Sequence, residues 1–175
     1  MRTYLLLIFC TLSINLFSQQ NNNVTWKDIL LDRSIESLHK TLNESKEDEE
    51  RELFENNLLI LDNGYLIDNK YFDTYTTKKI KERNLGHNML YNSKEFSKIF
   101  SYLKVNKLSF IKATVKNTYW KSDQKYYIFF ETMSAIKTPS DITFKNYNTA
   151  LYVYKWNDSL NNGDYELEKY ELFNR

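Results

Sequence analysis

Apolar positions early in the chain recur with helical spacing, and those of the last third recur with a period of two. Leu31, Ile35, Leu38 and Leu42 stand at i, i+4, i+7 and i+11, one stripe of an amphipathic helix over about residues 26–43. Thr25, with Asp28 three positions on, is a capping-box variant at its start. Ser45 caps a second helix whose first turns carry Glu47, Asp48, Glu49 and Glu50; acidic residues there are favoured by the helix dipole. The run Leu58 to Ile67 has two readings. Asn63-Gly64 between apolar stretches is a type I′ hairpin signal, while Gly64 could also terminate a helix as its C′ residue. The hairpin is the preferred reading. Residues 71–75 read as irregular or a short strand, and Lys78 to Asn84 as a short helix stopped at Gly86. Asn92-Ser93-Lys94-Glu95 caps a further helix with Phe96, Ile99 and Leu103 on one face.

From Leu108 the period changes. Phe110–Val115, Tyr126–Ile136, Thr149–Trp156 and Tyr165–Phe173 read as four strands rich in β-branched and aromatic residues. Helices first and a strand meander afterwards predict an α+β domain: N-terminal helices packed on one face of a C-terminal antiparallel sheet of four or more strands, able to curve. This element order over residues 25–173 resembles the cone-shaped folds of the nuclear-transport-factor-2-like group. The likeness is one of outline and implies no catalytic residue or ligand.

Alternation along the strands divides the side chains into two sets. On the third strand Leu151 and Val153 oppose Ala150, Tyr152, Tyr154 and Trp156; on the first, Ile111, Ala113 and Val115 oppose Lys112, Thr114 and Lys116. Placing the aliphatic set against the helices leaves an outer face of Tyr, Trp and Lys. Lys112, Lys116, Tyr152, Tyr154 and Trp156 are then the candidate ligand-binding residues, because tyrosine and tryptophan join apolar area to a hydrogen-bonding tip. The alternative is that the aromatic set is the core, held by cross-strand aromatic pairs.

The first residues add an address. Met1-Arg2 precedes an apolar run from Tyr4 to Phe17, and Ser18 stands before Gln19, the layout of a secretory signal. The run is interrupted by Thr11, Ser13 and Asn15 and is short for a bilayer-spanning helix. The expected division is a signal peptide over 1–18 and a single α+β domain over 19–175, exported to a periplasm or secreted, with no transmembrane segment in the mature form. Cleavage also removes Cys10, the one cysteine, so neither a disulfide nor a cysteine metal ligand is expected.

The formal net charge is only +1, but its distribution is uneven. Residues 19–68 hold 5 Lys/Arg against 12 Asp/Glu, residues 69–155 hold 16 against 6, and residues 156–175 hold 2 against 5. The segments are expected to neutralise one another in the fold; the sharper reading is a basic face for an anionic ligand, glycan or surface. With three Gly and one Pro in 175 residues, Asn is expected to occupy many left-handed turn positions.

Catalytic signatures are sparse. The chain has no HExxH, nucleophile elbow, P-loop or dinucleotide fingerprint, so no cofactor and no metal are expected. Asp62-Asn63-Gly64 lacks the order of an EF-hand, and Glu166 with Glu168 read as solvated strand carboxylates. His39 borders the first helical stripe and reads as a satisfied helix histidine. His87, after Gly86 in a loop, is the weak catalytic candidate, as acid or base of a small pocket-type hydrolase or isomerase. Lysines interleaved with aromatics between Lys104 and Tyr127 have the ingredients of nucleic-acid binding, but Arg is scarce and export argues against it. The leading expectation is an exported binding domain whose partner is a small molecule, a glycan or a protein.

Overall fold

In a computed structural model, the structure describes residues 24–44, 58–120, 123–160 and 163–174. The signal-like segment and the helix expected after Ser45 lie outside the described residues. The first element is α1 (Trp26–Glu44). Thr25 opens it as the capping pattern predicts: its backbone N–H donates to Asp28 Oδ2 at 3.0 Å and its hydroxyl to the same oxygen at 2.6 Å.

Next come β1 (Leu59–Asp62) and β2 (Tyr65–Ile67). They pair antiparallel, with Asp62 opposite Tyr65. Asn63 and Gly64 have φ values of 52° and 86°, the two positive angles that a type I′ turn needs. The hairpin reading is therefore the right one. Two helices follow, α2 (Thr74–Glu82) and α3 (Ser93–Leu103). The Asn92 side chain caps α3 by accepting from the Glu95 N–H at 3.2 Å. The left-handed positions include Asn63 and Asn84, but also Tyr91 and Lys104, so asparagine supplies only part of them.

The four long strands are β3 (Lys107–Trp120), β4 (Asp123–Lys137), β5 (Ile142–Asn157) and β6 (Asp164–Asn174). All six strands form one curved sheet in the order β2-β1-β3-β4-β5-β6. Every neighbouring pair is antiparallel except β1 and β3, which run parallel with Leu59 opposite Phe110. α2 and α3 carry the chain back to make that parallel pairing possible. The α+β class and the mostly antiparallel, curved sheet are as expected.

Alternate residues of β1 enter different apolar clusters, which fixes the two faces. Leu58 and Ile60 pack with Leu30, Ile35 and Leu38 of α1, together with Ile111, Ala113, Ile128, Phe130 and Tyr152. Leu59 and Leu61 pack with Ile80 of α2, Phe96, Ile99 and Phe100 of α3, and Phe110, Met133, Ala135 and Ile142. The helices are thus shared: α1 covers one face, and α2 and α3 cover part of the other. On that second face, Lys112, Thr114, Lys116, Phe129 and Leu151 belong to neither cluster and keep partial or full exposure. Among the described residues no helix covers this end of the second face, which is the open face of the sheet.

Candidate functional site

The open face is built around a bulge. Glu131 of β4 lies opposite Thr149 of β5, and Met133 lies opposite Asn146. Two residues, Tyr147 and Asn148, therefore stand against one, Thr132. A bulge of this kind bends the strand and re-aims its side chains. Asn148 is tied down, its N–H donating to Thr132 Oγ1 at 3.0 Å while Thr132 Oγ1–H donates to the Asn148 carbonyl at 3.3 Å. The bulge leaves Thr149 opposite Glu131 and brings Asn146 within hydrogen-bond reach of it.

Lys112 of β3 completes the group, since it is directly opposite Glu131. Its ammonium donates to Glu131 Oε2 in a short ion pair, with both side chains 19% exposed. Asn146 Nδ2 donates to the other carboxylate oxygen, Oε1, at 3.0 Å. Burial works against the charge on Lys112, but the hydrogen bond and charge of Glu131, reinforced by Tyr91, outweigh it and raise its pKa above the ordinary lysine value. Lys112 stays an ammonium at neutral pH.

Two polar atoms beside this pair are left over. Asn146 Oδ1 and Thr149 Oγ1 are buried and, among the described residues, make no hydrogen bond. Such atoms are few in native proteins and each needs a reason. The wall of the site is Tyr91, whose ring lies 5.6 Å from Lys112 Nζ and 5.6 Å, edge on, from Phe144. Tyr91 holds φ 51° and is half exposed, an uncommon backbone for a bulky residue and one that strains it. Farther along β3, exposed Lys116 sets its ammonium 5.7 Å from the Phe129 ring. An ion pair, two unmet polar atoms, a bulge and a strained aromatic thus converge on one spot.

The five residues expected to bind together are not together. Lys112 and Lys116 are on the open face. Tyr152, Tyr154 and Trp156 are on the opposite face, packed with α1. Tyr152 is 0% exposed and Tyr154 5%. Burial pushes both phenol pKa values up. Tyr154 Oη accepts from the Ser34 hydroxyl at 3.0 Å, which places it inside the core. Trp156 stacks edge on against Trp26 and Tyr165, at 5.8 and 5.1 Å. The expected shared Tyr/Trp/Lys face is corrected here: cross-strand register puts the lysines and these aromatics on opposite sides. The aromatics beside the lysines are Tyr91, Phe129 and Tyr127. Alternation along β4 could have nominated Phe129 and Tyr127; Tyr91 gives no signal in the sequence.

His87 is exposed and donates from Nε2 to Asn84 Oδ1 at 2.7 Å. It lines a cleft of about 270 Å³ with Tyr65, Lys81 and Gly86. Lys81 is itself bound to Asp68 at 2.9 Å, so the cleft presents a histidine without a nucleophile held against it. His39 sits on α1 with its ring 5.3 Å from Tyr71 and 5.4 Å from Phe72, and Asn43 beside it. Among the described residues no group of three His, Cys, Asp or Glu could hold a metal ion. No helix there is long and apolar enough to cross a membrane. No protein-family model, curated protein or solved structure matches this chain.

Proposed function

We propose that this is an exported binding domain, not an enzyme, and that it engages its ligand on the open face of the sheet around Lys112 and Glu131. One observation carries the reading: the unmet Asn146 and Thr149 oxygens adjoin a half-buried ion pair at a bulge, beside a strained Tyr91. Packing alone gives no reason to keep these features in one place, and departures from local rules cluster at functional sites. Lys116 over Phe129 extends the surface and adds a cation with an aromatic base. The signal-like segment supports export, with the mature chain beginning near Gln19.

Thermal unfolding of the exported protein against metals, sugars, nucleotides, fatty acids and peptides tests the reading. A ligand at about 100 times its Kd adds ~2.7 kcal/mol, or several degrees in Tm. The shift is expected to shrink in Lys116→Glu, whose exposed position leaves the fold intact. A ligand whose shift is the same in natural protein and Lys116→Glu, and whose contacts map to the His87 cleft, would overturn the reading. Export is checked by the N-terminus of the secreted protein, expected at Gln19.

A further inference from the structure

The donors and acceptors of the Lys112–Glu131 group set what can satisfy it. Both Glu131 oxygens are already engaged: Oε2 takes the Lys112 ammonium and Oε1 takes Asn146 Nδ2. Asn146 Oδ1 is an acceptor that needs a donor, Thr149 Oγ1 can do either, and the Lys112 ammonium, already bonded to Glu131 and Tyr91, has one further N–H donor. A bare anion brings acceptors only. It would meet Lys112, leave Asn146 Oδ1 unmet and face the Glu131 carboxylate. A metal ion would compete with the ammonium already seated there. A hydroxyl group both donates and accepts, so neighbouring hydroxyls on one ring match the whole set.

The aromatic wall fits the same chemistry. Tyr91 is half exposed and offers a ring face beside Lys112, edge on to Phe144. The C–H face of a pyranose packs on such a ring while its hydroxyls point sideways. Asn146 Oδ1 and Thr149 Oγ1 are closed to solvent, so a ligand reaches them only when the side chains around them shift. Tyr91 lies in the connection before α3, with a left-handed backbone that no ladder holds in place. We infer that the Lys112–Glu131–Asn146–Thr149 group binds the hydroxyls of a saccharide, with Tyr91 as its stacking face. The inference rests on the open-face reading above and narrows it to one ligand class.

The test is a nuclear magnetic resonance titration of the isotope-labelled protein with methyl glucoside, methyl galactoside and methyl mannoside, each at millimolar concentration, beside sodium acetate. At least one glycoside is expected to give saturable shifts at the Tyr91 amide and the Asn146 side-chain amide. Acetate is expected to leave Asn146 unmoved. Two variants keep folding apart from binding. Tyr91→Gly suits φ 51° and should weaken binding at least tenfold with no fall in Tm. Thr149→Val removes an unmet hydroxyl and should weaken binding with Tm held or raised. Undiminished affinity in both variants would overturn the assignment. So would acetate, but none of the glycosides, shifting Lys112 and Lys116; the open-face reading would then survive with an anionic ligand. If neither the glycosides, acetate nor any compound of the thermal panel moves an open-face resonance, both readings fall.

Discussion

Tyr152 is the largest fully buried side chain among the described residues, and its hydroxyl sits near Ser37 and Tyr170 on the α1 face without a well-formed hydrogen bond to either. Its ring packs edge on against Phe130 at 5.8 Å and lies 4.9 Å from Tyr170. Two substitutions separate core from ligand contact. Tyr152→Ala empties a large core volume and should lower stability by ~3–5 kcal/mol. Tyr152→Phe keeps the volume and deletes the unmet hydroxyl, so stability should hold or rise by up to ~1 kcal/mol, while ligand binding is unchanged. Chemical denaturation of the two variants decides it. A Tyr152→Phe protein that folds normally but loses ligand would return Tyr152 to the binding site. The sequence alone presents Tyr152 and Lys112 as equally good outer residues, because alternation defines two faces within a strand but not which faces match between strands. That match depends on register, set here by Lys112 opposite Glu131 and Glu131 opposite Thr149. Thr149 carries the odd-numbered side of β5 to the lysines and leaves Tyr152 and Tyr154 on the other.

At the scale of elements, the turns decide most. Gly64 combines φ 86° with a close approach: a Cβ there would lie 2.8 Å from Asn88 Oδ1 and 2.8 Å from Leu90 Cβ. The Gly64 carbonyl also accepts from the Met89 N–H at 2.7 Å, tying the hairpin to the loop before α3. Gly64→Ala should therefore lose ~1–3 kcal/mol, from backbone strain plus the clash, and loosen the loop that carries Tyr91. Amide hydrogen exchange is the measure: faster exchange at Met89 is expected, with α1 unaffected. Equal exchange rates in variant and natural protein would mean that the hairpin and the loop are not coupled. α1 with Thr25, α3 with Asn92 and the presence of the four long strands were readable from spacing and caps. α2 was misplaced: the sequence reads a helix over 78–84 after an irregular or strand segment, whereas Asp73 caps a helix over Thr74–Glu82. The parallel β1–β3 pair was not, since it joins residues about 50 apart through two helices. Nor was the β5 bulge, which places an unremarkable Asn and Thr beside the ion pair. The site was therefore half visible in sequence, through its lysines alone.

At the scale of the whole molecule, ion pairs among the described residues join the three charge segments. Arg33, from the acidic first segment, grips Asp164 of the last with two bonds of 3.1 and 3.0 Å. Lys81 reaches back to Asp68 at 2.9 Å, and Lys125 forward to Glu168 at 2.7 Å. These contacts set how stability follows pH. The Arg33 hydrogen bonds hold the Asp164 carboxyl below its ordinary value, and hydrogen bonds from Thr25 do the same for Asp28, from Lys98 for Glu95 and from Lys125 for Glu168. A depressed folded pKa means that the unfolded chain binds protons first. The stabilisation is then complete above the unfolded carboxylate pKa of about 4 and drains away as pH falls through the folded values. The groups are largely solvated, so each contributes little on its own, but they act in the same direction. Lys112 works with the opposite sign. Its raised pKa makes its share complete below the unfolded value of about 10.4 and lost as pH climbs through the folded one. Tm should therefore be flat through neutrality, fall below about pH 4 and fall again above about pH 10. Asp164→Asn should flatten the acid limb and leave the alkaline one alone, since Asp164 is held by Arg33 and Lys112 by Glu131, with no partner in common. An acid limb of the same depth in Asp164→Asn would show that the Arg33 contact contributes nothing, and the cross-segment pairs would then be a consequence of the fold instead of a support for it.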